Sequence, residues 1–174
     1  MRDVLSSDEQ ARILLATGIA GPATRTSHGM MFDETHVDAL RLWPNVDKSA
    51  LTRACPRGLF VSRLPRATDL DLTRPWGDVA GRVQETVTAQ RPMTTLTSAL
   101  IGARIQVWGP VPFVATLLGY VVLAANIVQL DESGFRLGPP GPWSEVVERH
   151  RFPTSPGGRP GYLWEPPPNA WPAP

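Results

Sequence analysis

The sequence predicts an α+β fold: a small N-terminal helix–hairpin–helix unit, followed by a helical hairpin and a small antiparallel sheet. Three observations carry this expectation. Apolar residues recur at helical spacing in "SSDEQARILLATG", "WGDVAGRVQETVTAQ" and "TTLTSALIGARIQVW". A run without a single charge, Ile105 to Leu130, is rich in Val, Ile, Thr, Phe and Tyr, the residues that suit buried strands. Glycine and proline interrupt the pattern often enough to keep every element short.

The chain begins with a helix over "SSDEQARILLATG". Ser7 is its expected N-cap, and Gln10 completes a capping box. Ala11, Ile13, Leu14 and Leu15 form its apolar stripe, and Gly18 stops it. "GPATRTSHGMMFD" then supplies two short extended pieces around Ser27–His28–Gly29, with Gly29 able to take the positive φ that a hairpin turn requires. Asp33 caps a second helix, "ETHVDALRLW", with Val37, Leu40 and Trp43 on its inner face and Pro44 after it. These residues, 1–46, make the first unit.

Residues 47–75 read as a basic linker with one strand, "GLFVSRL". The block "RACPRGLFVSRLPR" carries Arg53, Arg57, Arg63 and Arg66 without an intervening acid. Residues 76–164 form the α+β module. Its first helix places Val79, Val83 and Val87 on one face, and its second places Leu96, Leu100, Ala103 and Val107 on an apolar face. Arg91–Pro92 separates the two helices. The uncharged run gives two or three core strands. Its alternative, a single membrane span over residues 111–130, has the required length of about 20 residues but contains Pro112, Gly119, Asn126 and Gln129. "NIVQLDESGFRLG" reads as a hairpin, and "GPPGPWSEVVERH" as a proline-started short helix that docks Trp143, Val146 and Val147. Residues 165–174 are a proline-rich tail, expected to be mobile.

Composition limits the function. At 174 residues, 42% hydrophobic and 19% charged, the chain can bury a core without disulfides or metals. A net charge of +1 excludes a general electrostatic grip on nucleic acid, so any DNA contact must come from a local patch. Lys48 is the only lysine. Such arginine usage points to a high-GC bacterial source, and it also suits bidentate contacts to phosphate and guanine. One cysteine, Cys55, and three histidines offer no zinc site and no intramolecular disulfide, which is compatible with a reducing cytoplasm. "MRDVLSSDEQ" has no apolar leader segment, so no signal peptide is expected.

Catalytic signatures are missing from the pattern. There is no G-x-S-x-G, no P-loop and no G-x-G-x-x-G. His28 falls at a hairpin tip and His36 on a helix near Asp33, positions of solvated residues rather than bases. "SPGGRPG" could cradle a phosphate but does not lead into a helix. Asp69 and Asp71 lack the apolar surroundings that raise a carboxyl pKa. The expectation is a non-enzyme with no metal and no cofactor.

Helix, hairpin and Asp-capped helix is the order of a winged helix-turn-helix. The stretch "GIAGPATRTSHGMMFDETHVDAL" resembles the second half of a MerR/excisionase-type DNA-binding domain over residues 5–42. Gly18, Arg25, Gly29, Phe32, Asp33, Glu34, Val37 and Leu40 match the end of the recognition helix, the wing and the "D-E-x-x-V-x-x-L" that follows. The resemblance implies that Gln10 and Arg12 face a DNA groove, while Arg25 and His28 meet the phosphate backbone. Only "MRDVLS" stands where the family has a further helix, so the resemblance is to a truncated unit. In the other register "LSSDEQARILLATG" resembles the family's first helix. Arg53, Arg57 and Arg63 would add a second strip of phosphate contacts.

The expected function is therefore a DNA-binding or transcription-associated accessory protein, cytoplasmic and homodimeric, with double-stranded DNA as partner. The homodimer is inferred from six tryptophans, the long apolar run and the two-fold symmetry typical of such readers. A non-enzymatic protein-interaction module, in which the hairpin–helix only packs or meets another protein, is the alternative. The single-span membrane protein is a third reading.

Overall fold

The computed structural model describes residues 8–27, 29–66, 68–90, 93–131, 134–152 and 161–165. The chain is a mixture of α-helix and β-sheet, as the patterning predicts. Its elements are α1 (Asp8–Ala16), β1 (Thr24–Thr26), β2 (Gly29–Met31), α2 (Glu34–Arg41), α3 (Lys48–Ala54), β3 (Leu59–Arg63), α4 (Trp76–Gln90), α5 (Thr95–Trp108), β4 (Val111–Leu117), β5 (Tyr120–Asp131) and β6 (Gly134–Gly138). A 3-10 helix (Pro142–Val146) and β7 (Gly161–Trp164) follow.

β1 and β2 form a two-stranded hairpin, and the other strands form one sheet in the order β6-β5-β4-β3-β7. The sheet is not purely antiparallel: β3 and β4 run parallel, with Phe60 opposite Phe113. The cause is the connection, because α4 and α5 carry the chain back to the end from which β3 started. Leu118 and Gly119, both at positive φ (52° and 89°), form the two-residue turn that joins β4 to β5. Positive φ at both positions twists the turn in the sense the strands need.

Residues 111–130 therefore lie in two paired strands, and the single-span reading is corrected. The run is apolar because both faces of β4 and β5 are covered. Among the described residues no helix is long and apolar enough to cross a membrane.

Strand alternation sends side chains to two cores. Phe60, Phe113, Ala115 and Phe135 face one side, where they meet Val79, Ala80 and Val83 of α4 and Ile101 of α5. Phe113 is fully buried between Phe60 and Phe135, with ring centroids 6.0 and 5.6 Å away. Leu59, Val61, Val114 and Val121 face the other side and pack with Leu51 and Cys55 of the α3 region, Val147 and Phe152.

The N-terminal unit belongs to the first core. Leu14, Ala20 and Leu40 are buried there, with Ile13, Leu15, Val37 and Trp43 packed at its margin. Trp43 tilts against Tyr120 at 5.9 Å. The Leu72 N–H donates to the Thr17 carbonyl at 2.7 Å, tying α1 to the loop before α4. Gly18 is required at this seam: its φ is +76°, and a Cβ would stand 2.8 Å from Thr73 Cγ2.

Three expectations change. α3 falls where a linker was expected; Asp47 caps it by accepting from the Ser49 N–H at 2.8 Å. β7 pairs with β3 in a segment that follows a Pro/Gly-rich stretch, and no periodicity announces it. On α5 the stripe Leu96, Leu100, Ala103, Val107 faces outward, while Ile101 and Arg104 are buried. α5 is apolar nearly all round, so spacing alone could not say which face turns inward.

Candidate nucleic-acid interface

α1 buries Leu14 and half-buries Ile13 and Leu15, which turns Glu9, Arg12 and Ala16 outward. Gln10 is half-buried. Ser7, its expected capping partner, lies outside the described residues. The hairpin pairs Thr24 with Met31, Arg25 with Met30 and Thr26 with Gly29. Gly29 sits at φ 124° and so takes the positive φ expected of it. Arg25, Met30 and Met31 are exposed, while His28 lies outside the described residues.

α2 starts as expected at Asp33, whose side chain accepts from the Thr35 N–H at 2.8 Å. This backbone hydrogen bond, with a further one from the Thr35 side chain, holds the Asp33 carboxyl below its ordinary 3.8. The His36 ring lies against Gly21, where a Cβ would come 3.2 Å from Nδ1. Gly21 thus lets α2 close on the entry to the hairpin. Arg41 donates to Asp38 at 2.9 Å, so its charge is matched on the same helix. Among the described residues no ion pair engages Arg12 or Arg25.

The second basic set is elsewhere. Arg53 is exposed in the last turn of α3. Arg57 lies over the Trp108 ring at 5.3 Å and Arg63 over the Tyr162 ring at 5.4 Å. Arg63 alternates with Leu59 and Val61 and so shares the sheet face that α3 covers, opposite the face on which α1 packs. Arg57 lies in the turn before β3, and Arg63 is the last residue of that strand. Gln10 and Arg12 lie on α1 and Arg25 on β1, whereas Arg53, Arg57 and Arg63 belong to α3, the turn after it and β3.

Residues not singled out by their spacing build a different feature. Arg104 on α5 is buried; its Nη2 donates to Glu165 Oε1 at 2.6 Å and its Nη1 to the Arg57 carbonyl. Gly58 admits the guanidinium: its φ is +92°, and a Cβ would meet Arg104 Nη1 at 2.5 Å and the Trp164 carbonyl at 2.7 Å. A cleft of about 240 Å3 opens beside it, between residues 54–58 and 104–112, with Cys55, Arg57 and Trp108 in its wall. Burial pushes the Cys55 thiol up to about 12, so the group stays protonated and is no nucleophile. His150 Nδ1 lies 2.6 Å from the Glu148 carbonyl. Among the described residues no three His, Cys, Asp or Glu side chains converge on a possible ion position. Of "SPGGRPG", only Gly161 lies within the described residues, where it opens β7.

No protein-family model, curated protein or solved structure matches the chain.

Proposed function

We propose that the chain is a DNA-binding, transcription-associated accessory protein that touches duplex DNA through residues 8–42. The supporting observation is the N-terminal unit itself: α1, the β1–β2 hairpin and the Asp33-capped α2 follow one another, with Arg12 and Arg25 exposed and unmatched by any acid among the described residues. In this reading Arg12 and Gln10 approach base edges, and Arg25 and His28 approach phosphates. The interface is the N-terminal unit alone, because Arg53, Arg57 and Arg63 lie on other surfaces and two of them are stacked on rings. The reading implies a cytoplasmic protein acting as a pair of identical copies.

Fluorescence anisotropy with random duplex DNA over a salt series tests it. Binding is expected at low salt and falls steeply as salt rises. Arg25→Ala should lower affinity for every sequence and flatten the salt slope by about one unit. Arg12→Ala or Gln10→Ala should relax sequence preference. No binding at low salt overturns the proposal.

A second reading, a protein-interaction module, is favoured by one observation: the outward face of α5 carries no charge and exposes Leu96, Leu100, Val107 and Trp108.

A further inference from the structure

α5 breaks the usual rule for a helix lying on a sheet. Its outward positions are Thr95, Leu96, Ala99, Leu100, Ala103, Gln106, Val107 and Trp108, and none of them is charged. Leu96 and Val107 are each 70% exposed, Leu100 43% and Trp108 41%. The helix's single charge, Arg104, points inward to Glu165. A surface helix ordinarily turns a polar face to water. Here the apolar inner face is used by the sheet, and a second apolar face is left over.

The spacing of that face is specific. Leu96, Leu100, Ala103 and Val107 follow one another at intervals of four, three and four residues, the period of a helix–helix seam. The pattern reads the same in both directions. A two-fold axis crossing α5 between Leu100 and Ala103 exchanges Leu96 with Val107 and Leu100 with Ala103. At the centre each large Leu100 then meets a small Ala103 of the second copy, so the two helices approach closely. Two-fold contacts require a self-complementary patch of this kind.

We infer that α5 is a homodimer interface, packing antiparallel against α5 of a second copy through Leu96, Leu100, Ala103 and Val107. Charge argues against other occupants. A nucleic acid or an acidic peptide needs cations on this face, and it has none; a helix lying in a lipid surface turns a polar side with Lys or Arg to water, whereas the other side of α5 is packed on the sheet. Area fits a modest dimer. The four large exposed side chains hold a few hundred Å2 of apolar surface per copy, the size that marks an interaction site. Over a helix about 21 Å long, such a face on two copies approaches the lower bound of a specific interface, about 1,000 Å2. The inference gives a place to the self-association named above but does not use DNA binding, and each can fail without the other.

Size-exclusion chromatography with light scattering on the full chain, across micromolar concentrations, is the test. The expected mass rises from one copy to two with concentration. Leu100→Glu and, separately, Val107→Glu should stay monomeric over the same range with unchanged circular dichroism. A doubly substituted Leu96→Cys/Val107→Cys chain should form a disulfide-linked dimer on mild oxidation, while Leu96→Cys alone should not, because antiparallel packing sets the two copies of position 96 far apart. Native Cys55 is buried and does not compete. A monomer at all concentrations overturns the inference, whether or not the chain then binds neutral vesicles. A dimer that survives both glutamate variants, or a Leu96→Cys chain that cross-links by itself, overturns it as well.

Discussion

Removing Glu165 should destabilise the protein more than removing its buried partner Arg104. The two side chains are unequally placed, 8% exposed for Arg104 and 49% for Glu165. Glu165→Ala leaves a guanidinium inside the protein with the Arg57 carbonyl as its remaining described acceptor. Breaking a fully buried pair costs about 3–5 kcal/mol. Glu165 is half in water, so the loss is nearer that of one charge-assisted hydrogen bond, about 2 kcal/mol. Arg104→Met keeps most of the buried stem and removes the desolvated charge. Its cost is an unsatisfied Arg57 carbonyl, about 1 kcal/mol, offset by relief of the burial penalty. Glu165 then simply turns to solvent. Urea and thermal unfolding followed by circular dichroism read the difference. At roughly 2–4 °C per kcal/mol, Glu165→Ala should lower Tm by about 4–8 °C, and Arg104→Met by no more than about half of that. The double variant should behave like Arg104→Met alone. An Arg104→Met variant less stable than Glu165→Ala would refute the reasoning, by showing that packing and the Arg57 contact outweigh the cost of burying the charge.

Three further outcomes follow from the same structure. Leu14→Ala empties a fully buried site where α1 meets the main core and should cost about 2–5 kcal/mol in a single unfolding transition, whereas a separate early transition confined to α1 would contradict the shared core. Cys55 should resist alkylation in the native protein near neutral pH and react fully in urea; because burial raises its pKa from 9.0 to about 12, the stability linked to the neutral thiol is intact below pH 9 and declines as pH rises towards 12, and rapid native alkylation would count against it. The Thr35 amide resonance should titrate with a midpoint below 3.8; the Asp33 carboxylate is depressed in the folded state, so its contribution is present above the unfolded pKa and lost as pH falls through the lower folded one, and a midpoint at or above 3.8 would remove the cap argument.

Local structure was legible in the sequence wherever neighbours along the chain decide it. Asp33 caps α2 because its carboxylate needs to reach only two residues ahead. Gly29 closes the hairpin and Gly18 follows α1, since both take a φ that other residues avoid. Val79 and Val83 face the core, as their four-residue spacing requires. The uncharged run from Val111 onward became two strands, as its β-branched and aromatic content indicated. Among the candidate interface residues, the exposure of Arg12 and Arg25 follows from the apolar stripe of α1 and from hairpin pairing.

Tertiary structure alone decided the rest. Nothing near β3 in sequence reveals that it runs parallel to β4 or that β7, about a hundred residues later, completes the sheet beside it. Arg53, Arg57 and Arg63 look like one basic block along the chain, but two of them lie over aromatic rings that come from α5 and β7, which their own neighbours in sequence do not announce. The rotation of α5 is the clearest case. A helix apolar on every side has no preferred inner face of its own. Its rotation rests on long-range contacts: Ile101 in the main core, and Arg104 against Glu165 and the Arg57 carbonyl in the space that Gly58 leaves. That rotation buries a charge and leaves Leu96, Leu100 and Val107 in water, an outcome that depends on distant contacts and that no local pattern encodes.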